Sequence, residues 1–182
     1  SMELIRAAVD RDVALTASEP IVWGLDVARF GGDNSALCVR QGNTVLEIKS
    51  FASMDLMQLC GVIKNRYDDA TVMERPQEIL VDVIGLGAGV VDRLREQNLP
   101  VRGINVSESP SSRKNYLNLR AELWFAIKEW LAQRDCRLPI DDELVSELAA
   151  PLYKYTSTGK IKIESKQSRC TCIDHGKFCR KF

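Results

Sequence analysis

The feature that most constrains this chain is a carboxylate inside an apolar segment of strand length. Residues 21–28 read IVWGLDVA, so that Asp26 interrupts the apolar run near its end. Residues 78–83 form a second such run, with Asp82 near its end. A buried carboxylate costs several kcal/mol unless it is paired or bound to a metal. Both acids therefore need a partner, and both lie where sites form in α/β proteins, at the carboxyl ends of strands.

The apolar pattern predicts an α/β fold. Apolar runs at residues 21–28, 35–40 and 44–51 follow one another at hairpin distance, which predicts a three-stranded antiparallel meander. Amphipathic helices then alternate with two more strands, so we expect a mixed five-stranded sheet flanked by helices, with a C-terminal β-hairpin as an appendix. The other predicted strands are 78–83, 101–106, 151–155 and 160–163, and the predicted helices are 54–70, 90–95, 118–132 and 141–148.

Asp26 and Asp82 would converge if the first strand lay beside the fourth, as this order of elements favours. Two adjacent carboxylates repel each other unless a divalent cation neutralises them. Oxygen ligands with open positions suit Mg²⁺ or Mn²⁺, and two such ions drive in-line attack on a phosphodiester. The alternative is structural: Asp26 pairs with Arg29 in a turn, and Asp82 caps the helix that follows the glycine-rich turn.

Charge is distributed unevenly along the chain. The 25 basic and 25 acidic residues give a net charge of zero, which by itself argues against nucleic-acid binding. From residue 154 onward, however, 8 basic residues accompany 2 acidic ones, a net charge of +6, and the rest carries −6. Lysines alternate along the final hairpin and can share a face that binds phosphate, although they would also protect an exposed sheet edge from aggregation. The candidate DNA-binding residues, in this hairpin and in the polar loop 107–114, are Arg113, Lys114, Lys154, Lys160, Lys162 and Lys166.

Several function classes are excluded. The glycine-rich segment GLGAG at residues 85–89 permits a tight turn beside Asp82, but the chain has no Gly-x-x-x-x-Gly-Lys-Ser/Thr sequence, so it is not a P-loop ATPase. No apolar run approaches the ~18 residues of a membrane helix, so we expect no membrane partner. A phosphotransferase of the actin or sugar-kinase type ranks last, because it needs a second domain with another phosphate loop.

Four segments together resemble the nuclease domain of the large terminase subunits of tailed phages and prophages. The family's first-strand signature is similar to GLDVARFGGDNS at residues 24–35. Its second acidic segment is similar to residues 81–94, where VD is followed by GLGAGVVDRL. Its last third is similar to residues 120–125 and 147–166. The resemblance implies a ribonuclease H-like fold and an endodeoxyribonuclease that cuts double-stranded concatemeric DNA during genome packaging by two-metal hydrolysis. The family's first two acidic ligands map onto Asp26 and Asp82.

The resemblance also implies partners and a location. Such domains normally follow an ATPase motor domain, which this sequence lacks, and they work with the small terminase subunit and the portal in the cytoplasm of the bacterial host. We therefore expect a nuclease-domain fragment. Its predicted parts are a leader at residues 1–19, the nuclease domain at 20–166 and a tail at 167–182.

The tail departs from the family pattern. The family's third acidic ligand follows the segment that ends here at Lys166, whereas this chain continues with the cysteine-rich sequence QSRCTCIDHGKFCRKF. Asp174 is the nearby acid that could replace that ligand of the metal. We expect a truncated or frame-disrupted prophage gene and weak or absent cleavage. The alternative is a non-catalytic remnant that binds DNA or packaging partners.

Overall fold

The computed structural model describes residues 1–28 and 34–164 of the protein. They belong to two compact units. Within the described residues, the sheet unit consists of 10–28, 34–105 and Arg137–Pro139, and the hairpin unit consists of Ser1–Val9, Val106–Cys136 and 140–164. Lys166 and Asp174 lie outside the described residues.

Five helices and seven strands make up the described part of the chain. The strands are β1 Ile21–Asp26, β2 Ser35–Gln41, β3 Thr44–Phe51, β4 Glu78–Asp82, β5 Val101–Ile104, β6 Tyr153–Tyr155 and β7 Ile161–Ile163. The helices are α1 Met2–Ala8, α2 Leu56–Asp69, α3 Gly87–Glu96, α4 Leu119–Ala132 and α5 Asp142–Ala149. None of these helices has the length and apolar character needed to cross a membrane.

The sheet unit is the predicted mixed five-stranded sheet, in the order β3-β2-β1-β4-β5. The first three strands form the antiparallel meander, and β4 and β5 extend the sheet by parallel pairing on the other side of β1. The fold class predicted from the sequence is thus confirmed.

One face of this sheet carries the main core. The inward residues of β1 and β4, including Trp23, Ile79 and Val81, pack in one cluster with apolar residues of α2 and α3. Side chains alternate between the two faces of a strand, so Asp26 and Asp82 project from the other face. Both aspartates are half-buried. The same alternation that builds the core therefore sets the two acids apart from it.

Side-chain caps explain where three helices begin. Asp55 precedes α2 and accepts a hydrogen bond from the Gln58 backbone N–H at 2.8 Å, and the Gln58 side chain caps Asp55 in return. Asn118 and Asp141 cap α4 and α5 in the same way, through the backbone N–H groups of Ala121 and Leu144. Such caps satisfy backbone donors that have no partner within the helix.

The hairpin unit contains α1, α4, α5 and the antiparallel pair β6–β7. Helix α1 lies inside the predicted leader and packs against α4 and α5, with Ile5 and Ala8 buried. A short segment ahead of α4 adds to the small sheet: the Leu117 N–H donates to the Ile161 carbonyl at 2.9 Å, and the Ile161 N–H to the Asn115 carbonyl at 2.8 Å. This pairing joins the polar loop to the hairpin.

Gly87, at the start of α3, is the residue that lets the chain turn close to the end of β4. A Cβ atom at this position would lie 1.8 Å from the Asp82 carbonyl oxygen. We expect Gly87→Ala to lower the free energy of unfolding by roughly 1–3 kcal/mol, because the backbone of Asp82 or of the helix must shift. Urea denaturation monitored by circular dichroism measures this change.

Gly89 provides the matched control, since it lies in the same helix and a Cβ there would meet no atom within 4 Å. Gly89→Ala should leave stability unchanged or raise it by up to about 1 kcal/mol, because alanine favours the helix. Equal effects of the two substitutions would show that the close approach at Gly87 is not what constrains the turn.

Candidate metal centre and nucleic-acid interface

Asp26 and Asp82 end two neighbouring parallel strands. Leu25 of β1 is in register with Val81 of β4, so the two aspartates stand one residue further along each strand. Adjacent strands are ~4.8 Å apart, and residues in matched register project from the same face. The structure therefore brings together the two acids that the sequence singled out, at the carboxyl edge of the sheet.

The carboxylate of Asp82 is held by the turn that follows it. The Ile84 backbone N–H donates a hydrogen bond of 3.0 Å to Asp82 Oδ1. The proposal that Asp82 caps the next helix is wrong: α3 is preceded by Leu86, which makes no side-chain cap. A carboxylate accepts about four hydrogen bonds or metal contacts, so this single bond orients Asp82 and leaves it able to bind a cation.

Ser35 organises the chain after Asp26. Its hydroxyl accepts a hydrogen bond of 3.1 Å from the Ala28 backbone N–H, and its side chain is buried. The proposed partner of Asp26 in the structural alternative, Arg29, lies outside the described residues. Sequence reasoning missed Ser35, because a serine after a glycine-rich turn is common and only the folded chain shows its partner.

The donor chemistry at this edge of the sheet fits a hard divalent cation. Carboxylate oxygens are the ligands that Mg²⁺ and Mn²⁺ favour, and Mg²⁺ is commonly held by one or two carboxylates together with water and substrate phosphate. Asp26 and Asp82 supply two such carboxylates. Across residues 1–28 and 34–164, however, no three His, Cys, Asp or Glu side chains cluster closely enough to hold an ion by themselves. The predicted third ligand, Asp174, lies outside this part of the chain.

Cys38 of β2 is the cysteine nearest to Asp26 in the register of the sheet. It pairs with Gly24, two residues before Asp26 on β1. Burial raises the pKa of the Cys38 thiol to about 11, against a smaller lowering by Arg40. The thiol is therefore protonated at neutral pH. Because the thiolate is the form that binds metals and attacks electrophiles, Cys38 is suited neither as a metal ligand nor as a nucleophile.

The hairpin β6–β7 carries most of the predicted DNA-binding residues that the structure describes. Lys154 stands directly opposite Lys162, and Lys160 precedes β7 on the same face. Lys154 Nζ lies 3.9 Å from Glu164 Oε1. Like charges directly opposite each other on paired strands are destabilising, and the Glu164 carboxylate moderates this repulsion at Lys154.

Arg113 and Lys114 are exposed in the polar loop ahead of α4. Glu122, in the first turn of α4, fixes the base of this loop by accepting hydrogen bonds from the backbone N–H groups of Ser111 and Ser112, at 2.8 and 3.0 Å. Sequence reasoning missed this role of Glu122. From the sequence, Glu122 is only an acid in the first turn of a helix, where its charge is favourable. Its hydrogen-bond partners lie about ten residues earlier, in a loop whose path the sequence does not define.

The fold is similar to that of solved phage nucleases. The nuclease domain of the large terminase subunit gp2 of bacterial virus Sf6 superposes with a TM-score of 0.76 at 18% identity, over 92% of this chain and 88% of that chain. A mutant form of that domain, solved with manganese and beta-thujaplicinol, gives a TM-score of 0.76 at 18% identity, over 95% and 91% of the two chains.

A nuclease from a second phage has the same architecture. The large terminase nuclease from thermophilic phage G20c with bound magnesium superposes with a TM-score of 0.64 at 13% identity, over 90% of this chain and 86% of that one. No protein-family model and no curated protein matches the sequence. From its structure, the chain has the ribonuclease H-like fold of the nuclease domains of phage large terminase subunits.

Proposed function

We propose that this chain is the metal-dependent endonuclease domain of a phage or prophage large terminase subunit, cutting double-stranded concatemeric DNA during genome packaging. The observation that carries the proposal is the pair Asp26 and Asp82, at the ends of two parallel strands of a sheet with the terminase nuclease fold. The similar domains include structures with manganese, magnesium and cobalt, which supports a divalent cation here.

The proposed chemistry is two-metal hydrolysis of the phosphodiester bond. When bound, the ions would activate the attacking water and neutralise charge on the leaving oxygen. Asp26 and Asp82 would hold them by their carboxylates, and the Ile84 N–H would keep the Asp82 carboxylate in one orientation. We further propose that cleavage is weaker than in an intact terminase nuclease, because the described chain supplies two acids and the third ligand would depend on Asp174.

We expect Asp26→Asn and Asp82→Asn each to lower the rate of plasmid cleavage in Mn²⁺ by at least about a hundredfold. The reason is that an amide removes the negative charge that holds the ion, and even indirect supports of a metal ligand contribute 10–100-fold. Conversion of supercoiled plasmid to nicked and linear forms on agarose gels measures the rate.

Asp92→Asn serves as the control, since Asp92 lies exposed on α3 and the change removes the same charge. This variant should cut at the wild-type rate. Cleavage that survives either site substitution, or that falls equally in the control, would contradict a metal centre at Asp26 and Asp82.

A second function is favoured by one observation: the described residues bring together only two acids at the candidate centre. A chain without a complete metal site would persist as a non-catalytic remnant that binds DNA or packaging partners through its basic hairpin. The two functions differ in whether the protein binds a metal ion in the absence of DNA.

Titration calorimetry with Mn²⁺ separates these functions. For the nuclease, we expect a binding heat in the wild-type protein that is lost in Asp82→Asn and retained in Asp92→Asn, because only the first substitution removes a ligand. The remnant would give no binding heat in any of the three proteins. Heat that persists in Asp82→Asn would mean that the ion binds elsewhere.

We propose that the basic face of the hairpin binds the phosphates of the DNA backbone. Lys154, Lys160 and Lys162 share this face, and the paired segment 115–117 ties the loop of Arg113 and Lys114 to β7. The proposed phosphate contacts include Lys166, which lies outside the described residues.

Replacement of Lys154 and Lys162 together by Gln should weaken duplex binding and reduce the slope of log affinity against log salt by about 2, since each phosphate contact contributes roughly 0.9. Fluorescence anisotropy in EDTA at several salt concentrations measures this slope. The double variant Lys64→Gln and Arg95→Gln, with the same loss of charge on α2 and α3, should keep the wild-type slope. Equal slopes in the two double variants would place the phosphate contacts elsewhere.

We propose that the domain acts with an ATPase motor domain, a small terminase subunit and a portal in the cytoplasm of the bacterial host. We also propose residues 20–166 as the nuclease domain, preceded by residues 1–19 and followed by a tail at 167–182. The family resemblance of the sequence and the similar fold support these proposals.

A further inference from the structure

Four aromatic rings in the hairpin unit form a connected series, which we call the aromatic ladder: Tyr116, Phe125, Tyr153 and Tyr155. The ring centroids of Tyr116 and Phe125 are 5.6 Å apart, those of Phe125 and Tyr153 5.2 Å, and those of Tyr153 and Tyr155 6.0 Å. The last two contacts are edge-to-face, a favourable arrangement for aromatic pairs. The ladder runs from a half-buried ring, Tyr116, to the exposed strand β6.

The outer end of the ladder is open to solvent. Tyr155 is 66% exposed and Tyr153 is 50% exposed. Phe125 supports Tyr153 from α4, so the inner rings anchor the outer one. A ring that its neighbours already hold in place loses little conformational entropy when it stacks on a partner. An exposed ring that is held in this way is therefore suited to bind a partner by stacking.

The two faces of the hairpin differ in chemistry. Because side chains alternate along a strand, Tyr153 and Tyr155 project from the face opposite to that of Lys154. Lys162 shares the face of Lys154. Ile161 and Ile163 pair with the two tyrosines across the hairpin and share their face. A nucleic-acid strand that lies along β6, at the edge of this small sheet, would meet the cation of Lys154 on one side and the rings of Tyr153 and Tyr155 on the other.

We propose that Tyr155, supported by Tyr153, is a stacking site for an unpaired base of DNA, so that the preferred substrate carries a frayed or single-stranded segment. This proposal rests on the proposed function as a DNA-binding nuclease domain and adds the kind of DNA that it binds. In a duplex the base faces are covered by neighbouring bases, whereas an unpaired base offers its ring to an aromatic side chain.

Charge favours DNA over a protein as the occupant of this surface. The segment from Pro151 to Glu164 contains three lysines and one acid, a net charge of +2. Lys128 lies 5.3 Å from the ring centroid of Phe125, which adds a further cation along the ladder. Proteins that bind single-stranded nucleic acid combine aromatic rings that stack on bases with nearby cations that bind phosphate, and β6 carries both, on its two faces.

The test compares two DNA duplexes of equal length in EDTA, each with a short single-stranded overhang. In one the overhang carries bases, and in the other it is abasic, so that the phosphates are the same. We expect the wild-type 182-residue protein to bind the base-containing overhang about five- to a hundredfold more tightly, the range that stacking of a single base provides. Anisotropy measures both affinities, and quenching of 2-aminopurine in the overhang reports stacking directly.

Two variants assign the preference to the ring. Tyr155→Ala should bind both overhangs equally and leave 2-aminopurine unquenched, whereas Tyr155→Phe keeps the ring and should keep the preference. The double replacement of Lys154 and Lys162 by Gln should weaken binding to both DNAs alike. Circular dichroism checks that each variant is folded.

The outcomes distinguish this inference from the proposed function. If the wild-type protein binds duplexes but does not discriminate between the overhangs, or if Tyr155→Ala keeps the discrimination, the stacking site is wrong while the DNA-binding function stands. The exposed rings would then fit a protein partner. If no DNA is bound at all, the DNA-binding function fails, and the stacking site fails with it.

Discussion

The parallel pairing of β1 with β4 is the constraint on which the rest of the sheet unit depends. It fixes the register in which Leu25 faces Val81, and that register carries Asp26 and Asp82 to the same edge of the sheet. The same pairing also separates apolar from acidic side chains: the apolar residues of both strands join one core, and the acids project from the other face of the sheet. A register shift of one residue would bury the acids and expose the core, so the core itself selects this arrangement.

The parallel pairing could be predicted from the order of elements. Three strands joined by short turns must form an antiparallel meander, and a later strand reached through a helix must then pair parallel to one of them. The apolar periods of α2 and α4 predicted both helices, and the turn at Gly42 marked the hairpin. The acids stood out for the same reason, since a carboxylate near the end of a buried strand has few structural explanations.

The sequence could not predict the contacts that depend on the path of the loops. The Ser35 hydroxyl accepts a hydrogen bond from the Ala28 N–H, and the Glu122 carboxylate accepts one from the loop before α4. Each of these contacts joins a side chain to the backbone across an irregular segment, and such a segment has no periodic sequence pattern from which its path could be predicted. The structural alternative, in which Asp82 caps the next helix, was wrong for a related reason. The Asp82 carboxylate accepts a hydrogen bond from the N–H of Ile84, only two residues further on, and no side chain caps the start of the helix.

Each of the two candidate contact regions contains a like-charged pair. At the ends of β1 and β4 two acids stand in matched register, and on β6 and β7 Lys154 stands opposite Lys162. Neighbours within the protein moderate this repulsion, since Glu164 lies beside Lys154 and the Ile84 N–H donates to Asp82, and a ligand of the opposite sign would moderate it further. Under the function proposed above, a divalent cation would neutralise the two acids of the sheet unit and, independently, DNA phosphates would neutralise the lysines of the hairpin unit. Each charge pattern, taken by itself, is thus compatible with the metal-dependent, DNA-binding function proposed above.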